Sequence, residues 1–202
     1  PFPPIAGLHY RRWGDVRVAR DGKIWLCAFD EGLVCLEPGK SGPRIFGIEA
    51  LGGTAPGGMH HFSNLYEDSW GNIWFSRNNG YGVHLAARDT VLNFIFGSAA
   101  YNTATVISSF AEDRLGRVWM NCNNDWLGFA EIMHPEKGLI HKVTMADLGI
   151  TGRIYQLASD GNVGASVAKL TQHSSALAQQ QKAMLSLQQS TGLSVYQRAS
   201  AQ

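Results

Sequence analysis

Charge of either sign is scarce in this chain. Its 202 residues carry 17 Lys and Arg against 16 Asp and Glu, a net charge of +1, and the cations are scattered without a basic stripe. This balance gives no electrostatic footprint for nucleic acid or an anionic membrane surface. Long apolar runs are also missing, because none approaches the roughly 20 residues that a membrane-spanning helix needs.

Cysteine is scarcer still, and the three present have neither metal-site spacing nor the even number of a disulfide set. Cys27 and Cys35 lie in the arms of a predicted hairpin, where they could face each other. The alternative, which we favour, is that both are small buried apolar residues, as we also expect for Cys122. The chain starts with Pro1 and shows no signal peptide, so we interpret it as a processed product or a fragment.

A short turn-and-strand pattern recurs along the chain, most clearly in the segment 66–81, Y-E-D-S-W-G-N-I-W-F-S-R-N-N-G-Y. Asp68 can bond the amides of a turn, Gly71 can adopt a positive φ, and the apolar run 73–75 suits a strand covered on both faces. Related segments surround Trp25, Trp119 and, more faintly, Gly164. Their spacing of about 45 to 49 residues is typical of propeller blades, which contain several short strands each.

The repeats predict an all-β fold, a partial β-propeller with about three complete four-stranded blades and the start of a fourth. An open arc should leave apolar faces bare, so the missing blades of a parent chain or another protomer are expected partners. An Ala/Gln/Ser-rich tail follows, which is either a signalling helix or a non-native reading frame, with a frayed end after Gly192. The predicted boundaries are 1–13 for an N-terminal segment, 14–163 for the blades (14–48, 61–96, 105–144 and 150–163), 164–202 for the tail and 165–190 for its helix.

The motif D-x-x-G-x-I-W, followed by a polar turn and G-V or G-L, resembles the two-component-regulator propeller repeat. The resemblance covers roughly residues 14–163, and Gly164 departs from it where a fourth Trp is expected. It implies a ligand-sensing part of a bacterial signalling protein, often a hybrid histidine kinase that responds to glycans, outside the cytoplasm and without kinase activity in this chain. It is carried by Asp68, Gly71, Asn72, Ile73, Trp74 and Gly82, and by Asp113, Gly116, Val118, Trp119 and Gly128.

Strand connectivity predicts which loops share a face of each blade. The turns between first and second strands belong to one face, and the turns between second and third strands belong to the other, with the Gly-rich loop 47–60. Amides can bond sugar hydroxyls and aromatic rings can stack on sugars, although Asn-Asn-Gly is also ordinary turn sequence. The predicted ligand-binding residues are Asn78, Asn79, Tyr81, Asn123, Asn124 and Trp126.

The recurrent aspartates and tryptophans have a structural interpretation. Because an aspartate accompanies every copy of the repeat, we expect turn capping rather than catalysis, and we expect blade packing from the tryptophans. No metal or cofactor is predicted, since the adjacent pair His60 and His61 has no third ligand. The residues concerned are Asp21, Asp68, Asp113 and Asp160, with Trp25, Trp74 and Trp119.

Two other classes of function remain open. The chain could belong to a propeller enzyme similar to streptogramin B lyases or sugar lactonases, for which inward-facing Arg17, His61 and Glu67 are the best candidates. It could also be an interaction scaffold, which a fold alone never excludes. The leading prediction is a small-molecule or glycan sensor.

Overall fold

The structure is a computed structural model that describes part of the chain as two compact units, Pro1–Val106 and Ile107–Gln202. No α-helix occurs in the described ranges, and nearly all their regular structure is β-strand. The helix predicted for 165–190 lies outside these ranges. The described residues are 13–28, 32–47, 62–77, 80–96, 106–122, 126–144, 146–147, 156–159 and 193–196.

The first unit contains two four-stranded antiparallel sheets, each with its strands in chain order. Sheet one comprises β1 (Trp13–Val18), β2 (Ile24–Ala28), β3 (Gly32–Leu36) and β4 (Arg44–Phe46). Sheet two comprises β5 (Phe62–Glu67), β6 (Ile73–Arg77), β7 (Gly80–Leu85) and β8 (Thr90–Ile95). All residues of β6 and β7 are buried, as the continuous apolar run in β6 predicts.

The second unit contains a third sheet of the same kind and a two-stranded sheet. Sheet three comprises β9 (Ile107–Glu112), β10 (Arg117–Cys122), β11 (Trp126–Glu131) and β12 (His141–Thr144), with a 3-10 helix at Pro135–Lys137 between its last two strands. The two-stranded sheet pairs β13 (Gln156–Ser159) with β14 (Leu193–Tyr196). The strands of the first three sheets lie within a few residues of the predicted ones.

The expectation of a frayed end after Gly192 is wrong for residues 193–196. These residues form β14, which pairs antiparallel with β13 although the two strands are far apart in sequence. The short run Leu193-Ser-Val-Tyr196 is rich in strand-forming residues. The entropic cost of closing a loop grows only slowly with its length, so distant pairing is compatible with this pattern.

The turns between first and second strands have the same backbone geometry in all three sheets. In each turn the first residue donates its amide to the carbonyl four residues later, at 2.8, 3.0 and 2.9 Å in chain order. The glycine three residues after the first residue has a positive φ of 84°, 81° and 71°, which explains why glycine recurs there. The residues that begin these turns are Ala19, Asp68 and Asp113.

First strands of successive sheets pack against each other within each unit, β5 against β1 and β13 against β9. The carboxylate of Asp15 accepts a hydrogen bond from the Leu65 amide at 2.7 Å, beside an irregularity of β5 at Asn64 (φ 48°). The hydroxyl of Ser109 accepts one from the Leu157 amide at 2.9 Å. Asp15 and Ser109 each lie four residues before the start of a turn, so this link between sheets also repeats.

Candidate functional site

The turn that begins at Asp68 is built around a carboxylate with no solvent exposure. One carboxylate oxygen accepts hydrogen bonds from the amides of Trp70 and Asn72, both at 2.9 Å. The other accepts from the Asn72 side chain at 2.9 Å and from the Trp74 indole nitrogen at 2.8 Å. The carboxylate therefore joins the turn to the tryptophan that anchors the next strand.

Asp113 repeats this arrangement in the second unit. One oxygen accepts from the amides of Leu115 and Arg117 at 2.9 and 3.1 Å. The other accepts from the Trp119 indole nitrogen at 2.6 Å and from the Arg117 guanidinium at 2.7 Å. The predicted turn-capping role is confirmed for Asp68 and Asp113, and Asp160 lies outside the described residues.

The first copy differs, because the structure places Ala19 and not Asp21 at the position of Asp68 and Asp113. Asp21 lies two residues further on, exposed, and its carboxylate accepts from the amide of Lys23 at 3.0 Å and from its ammonium at 2.6 Å. The bond from the Lys23 side chain lowers the pKa of Asp21. Asp21 thus caps its turn, but none of the described residues accepts a hydrogen bond from the indole of Trp25.

A cavity of about 190 Å³ lies beside this turn in the first unit. Its walls come from the turns at one end of the two sheets, and Trp25, which is 4% exposed, lies among them. The charged groups balance in number, three cations and three carboxylates, and each cation is paired. The lining residues are Ala19, Asp21, Lys23, Trp25, Cys35, Glu37, Lys40, Arg44, Gly71, His84, Ala86 and Asp89.

His84 forms one wall of the cavity and lies against Trp25, with ring centroids 4.6 Å apart. Its Nε2 atom is 3.0 Å from the carboxylate of Asp89, which also binds the Arg44 guanidinium at 2.6 Å. Burial lowers the pKa of His84, partly offset by Asp89. The bonds from Arg44 and then His84 lower the pKa of Asp89, so this group is anionic beside a neutral imidazole at neutral pH.

Two of the six predicted ligand-binding residues, Tyr81 and Trp126, lie among the described residues. Tyr81 is completely buried, and its ring stacks on Trp74 and on Phe94 with centroids 5.9 and 4.9 Å apart. Trp126 is 6% exposed, and the ammonium of Lys142 lies 4.8 Å from its ring centroid. These contacts give both rings packing roles, while their contact with a ligand stays a prediction. Four amides of the predicted site, Asn78, Asn79, Asn123 and Asn124, lie outside the described residues.

The residues considered for an enzyme active site are Glu67, Arg17 and His61. Glu67 is buried, and its carboxylate accepts from the amide of Arg20 at 3.0 and 3.1 Å and from its guanidinium at 3.1 Å. The same guanidinium also donates to the carbonyl of Asp68, so Glu67 joins sheet two to the turn of sheet one. Arg17 lies on an exposed strand, and His61 lies outside the described residues.

The cysteines are buried and free, as we favoured. Cys27 lies opposite Leu33 and Cys35 opposite Trp25, so the two thiols are not directly paired across the hairpin. Burial raises the pKa of Cys35 to about 11 and that of Cys27 further still. Within the described residues, no group of three His, Cys, Asp or Glu side chains could hold a metal ion.

Solved structures share this fold. The extracellular domain of BT4673 from B. thetaiotaomicron, described as a hybrid two-component system, aligns with a TM-score of 0.57 and 15% identity over 77% of this chain and 19% of its own. A second structure of that domain, described as a one-component system, gives 0.54, 15%, 76% and 20%. This chain therefore spans about a fifth of the length of those domains.

The likeness shows a shared fold and nothing finer, because the identity is low. No protein-family model matches the chain, and no curated protein is similar to it. None of the helices in the described part of the chain is long and apolar enough to cross a membrane.

Proposed function

We propose that this chain is part of the ligand-sensing region of a bacterial signalling protein, and that its four-stranded sheets are consecutive propeller blades. The observation that carries the proposal is the repeated unit, in which three sheets share one strand order and one turn geometry. First strands that pack against each other fit blades around an axis. The fold is shared with structures of an extracellular domain described as part of a hybrid two-component or a one-component system, which supports a sensor outside the cytoplasm.

The exposed edge of the first unit fits a chain that continues into other blades. Trp13, Val16 and Val18 of β1 are 45%, 58% and 66% exposed, although all three are large apolar residues. Such exposure in one strand is typical of a surface that a partner covers. We propose that the missing blades of the parent protein, or another protomer, supply this partner.

We further propose a carbohydrate ligand, recognised by the loops that follow second strands. The loop after β6 carries Asn78 and Asn79, and the loop after β10 carries Asn123 and Asn124. These loops differ in sequence between copies, whereas the turns before second strands keep one backbone geometry. A varied loop on a repeated scaffold leaves room for recognition.

The test is calorimetry of the intact parent sensor region against a panel of glycans, followed by Asn79→Ala and Asn124→Ala in separate proteins. Each change should weaken binding by about 0.5–1.5 kcal/mol, the usual contribution of one hydrogen bond, and leave the melting temperature unchanged. Substitution of Tyr81 or Trp126 would not separate binding from folding, since both rings are buried. If the parent sensor region binds no glycan of the panel, the proposal of a carbohydrate ligand is wrong.

A further inference from the structure

The three equivalent turns differ in the side chain of their first residue. Where the turn begins with Asp68 or Asp113, a buried carboxylate accepts the indole proton of the following tryptophan at 2.8 or 2.6 Å. Where it begins with Ala19, the backbone bonds are the same and the carboxylate is missing. A methyl group thus stands where the other copies have an acceptor.

Asp21 replaces the missing carboxylate of the first turn only in part. Asp21 accepts the hydrogen bond of the Lys23 amide, which corresponds to the Asn72 amide that Asp68 binds. It does not accept from Trp25, whose indole lines the cavity together with Ala19. The described part of the first unit therefore has a nearly buried N–H donor beside an open space.

We propose that this cavity binds a carboxylate, either a small organic acid or the carboxylate end of a larger ligand, in place of the missing aspartate. One carboxylate oxygen accepts from the Trp25 indole nitrogen in this site, which Lys23 also lines. The site is distinct from the proposed glycan loops, because turns before second strands form it at the opposite ends of the strands.

The size of the cavity and the missing acceptor beside Trp25 favour this class of ligand. About 190 Å³ accommodates several water molecules of about 30 Å³ each, or one acid of a few heavy atoms. The three cations around it are each paired with a carboxylate, so the ligand would be recognised through the Trp25 N–H donor and not through an excess of positive charge. A single carboxylate also has the shape and charge of the aspartate carboxylate in the other copies.

The first experiment uses the 202-residue chain labelled with ¹⁵N and follows the indole N–H signals during titration with sodium acetate. The Trp25 signal, assigned from Trp25→Phe, should shift and saturate with a dissociation constant on the order of 1 mM, as expected for a ligand of few atoms. Acetamide, which is neutral and has the same shape, and sodium chloride at equal ionic strength should leave it in place. An unsaturable shift, or an equal shift with acetamide, would contradict the proposal.

The second experiment supplies the carboxylate from the chain itself. Ala19→Asp should raise the melting midpoint by about 3–6 °C, because a charged hydrogen-bond acceptor is restored to a buried donor. It should also weaken acetate binding at least tenfold. Ala19→Ser, which adds a hydroxyl too short to reproduce the carboxylate, is the matched control and should retain acetate binding.

The two measurements together decide the proposal. Saturable acetate binding that Ala19→Asp abolishes would support it, whatever glycan the parent protein binds. Acetate binding that persists unchanged in Ala19→Asp would place the ligand elsewhere and overturn it. No binding by the wild-type chain would mean that water alone satisfies the Trp25 indole, which also overturns the proposal.

Discussion

Removal of the Asp68 carboxylate should destabilise the first unit severely. Four donors lose their acceptor in Asp68→Ala, and the side chains of Asn72 and Trp74 are 5% and 0% exposed, so water does not readily replace it. Hydrogen bonds to a charged group contribute about 1.5–3 kcal/mol each, and an unsatisfied buried donor costs about 1–3 kcal/mol. Because these terms overlap, we expect a loss of about 3–5 kcal/mol in the free energy of unfolding.

The assay is urea unfolding of the chain, followed by circular dichroism and by tryptophan fluorescence. Asp21→Ala is the matched control, because Asp21 also caps a turn but is exposed and paired with a single lysine. It should cost less than about 1 kcal/mol. A double-mutant cycle between Asp68→Asn and Trp74→Phe should show coupling, since each change removes one end of the same hydrogen bond.

The expected ranking would be refuted if Asp68→Ala and Asp21→Ala lowered stability equally. The same would follow if Asp68→Asn and Trp74→Phe were strictly additive. Either result would mean that the carboxylate only fixes the geometry of the turn and that its hydrogen bond with the indole makes no net contribution to stability.

Two further predictions concern the first unit. Gly82→Ala should cost several kcal/mol in urea unfolding or prevent folding, because a Cβ there would lie 2.1 Å from the Phe75 ring, whereas Gly47→Ala, which meets nothing within 4 Å, should be nearly neutral. Burial lowers the pKa of His84, so the unfolded chain binds its proton more readily and stability should fall as pH falls through about 6.5. His84→Gln should flatten this part of the pH–stability profile relative to wild type, and an unchanged slope would refute the assignment.

The strands of the three complete sheets could be predicted because local chemistry repeats there. Turn residues at fixed offsets before an apolar run locate β2, β6 and β10 within one residue. The sequence did not show that Ala19, rather than Asp21, aligns with Asp68. Ala19, Asp68 and Asp113 each lie six residues before the tryptophan of their repeat, whereas the Asp21-Gly22 pair of the first copy imitates the aspartate of the other turns.

The site was harder to predict for a physical reason. Tyr81 and Trp126 follow amide-rich turns, so they resemble stacking platforms, yet the structure buries both rings. Sequence alternation does not separate the faces of a sheet that is covered on both sides. The cavity beside Trp25 could not be predicted from the sequence, because its walls come from residues of two sheets that are distant in the chain.

Comparison of the copies also distinguishes two parts of the repeat, the buried tryptophan and the carboxylate that accepts its hydrogen bond. Sheet one is complete with Ala19 in place of the aspartate, while Trp25 remains buried among the core residues. The fourth copy lacks both, with Ala158 and Gly164 at these positions, and its described strands form only the two-stranded pair of β13 and β14. The buried indole ring is therefore common to the three complete sheets, whereas the carboxylate that accepts its proton is present in two of them. The carboxylate adds a hydrogen bond to it, and because a sheet can form without that bond, the position of Ala19 is free to acquire another use.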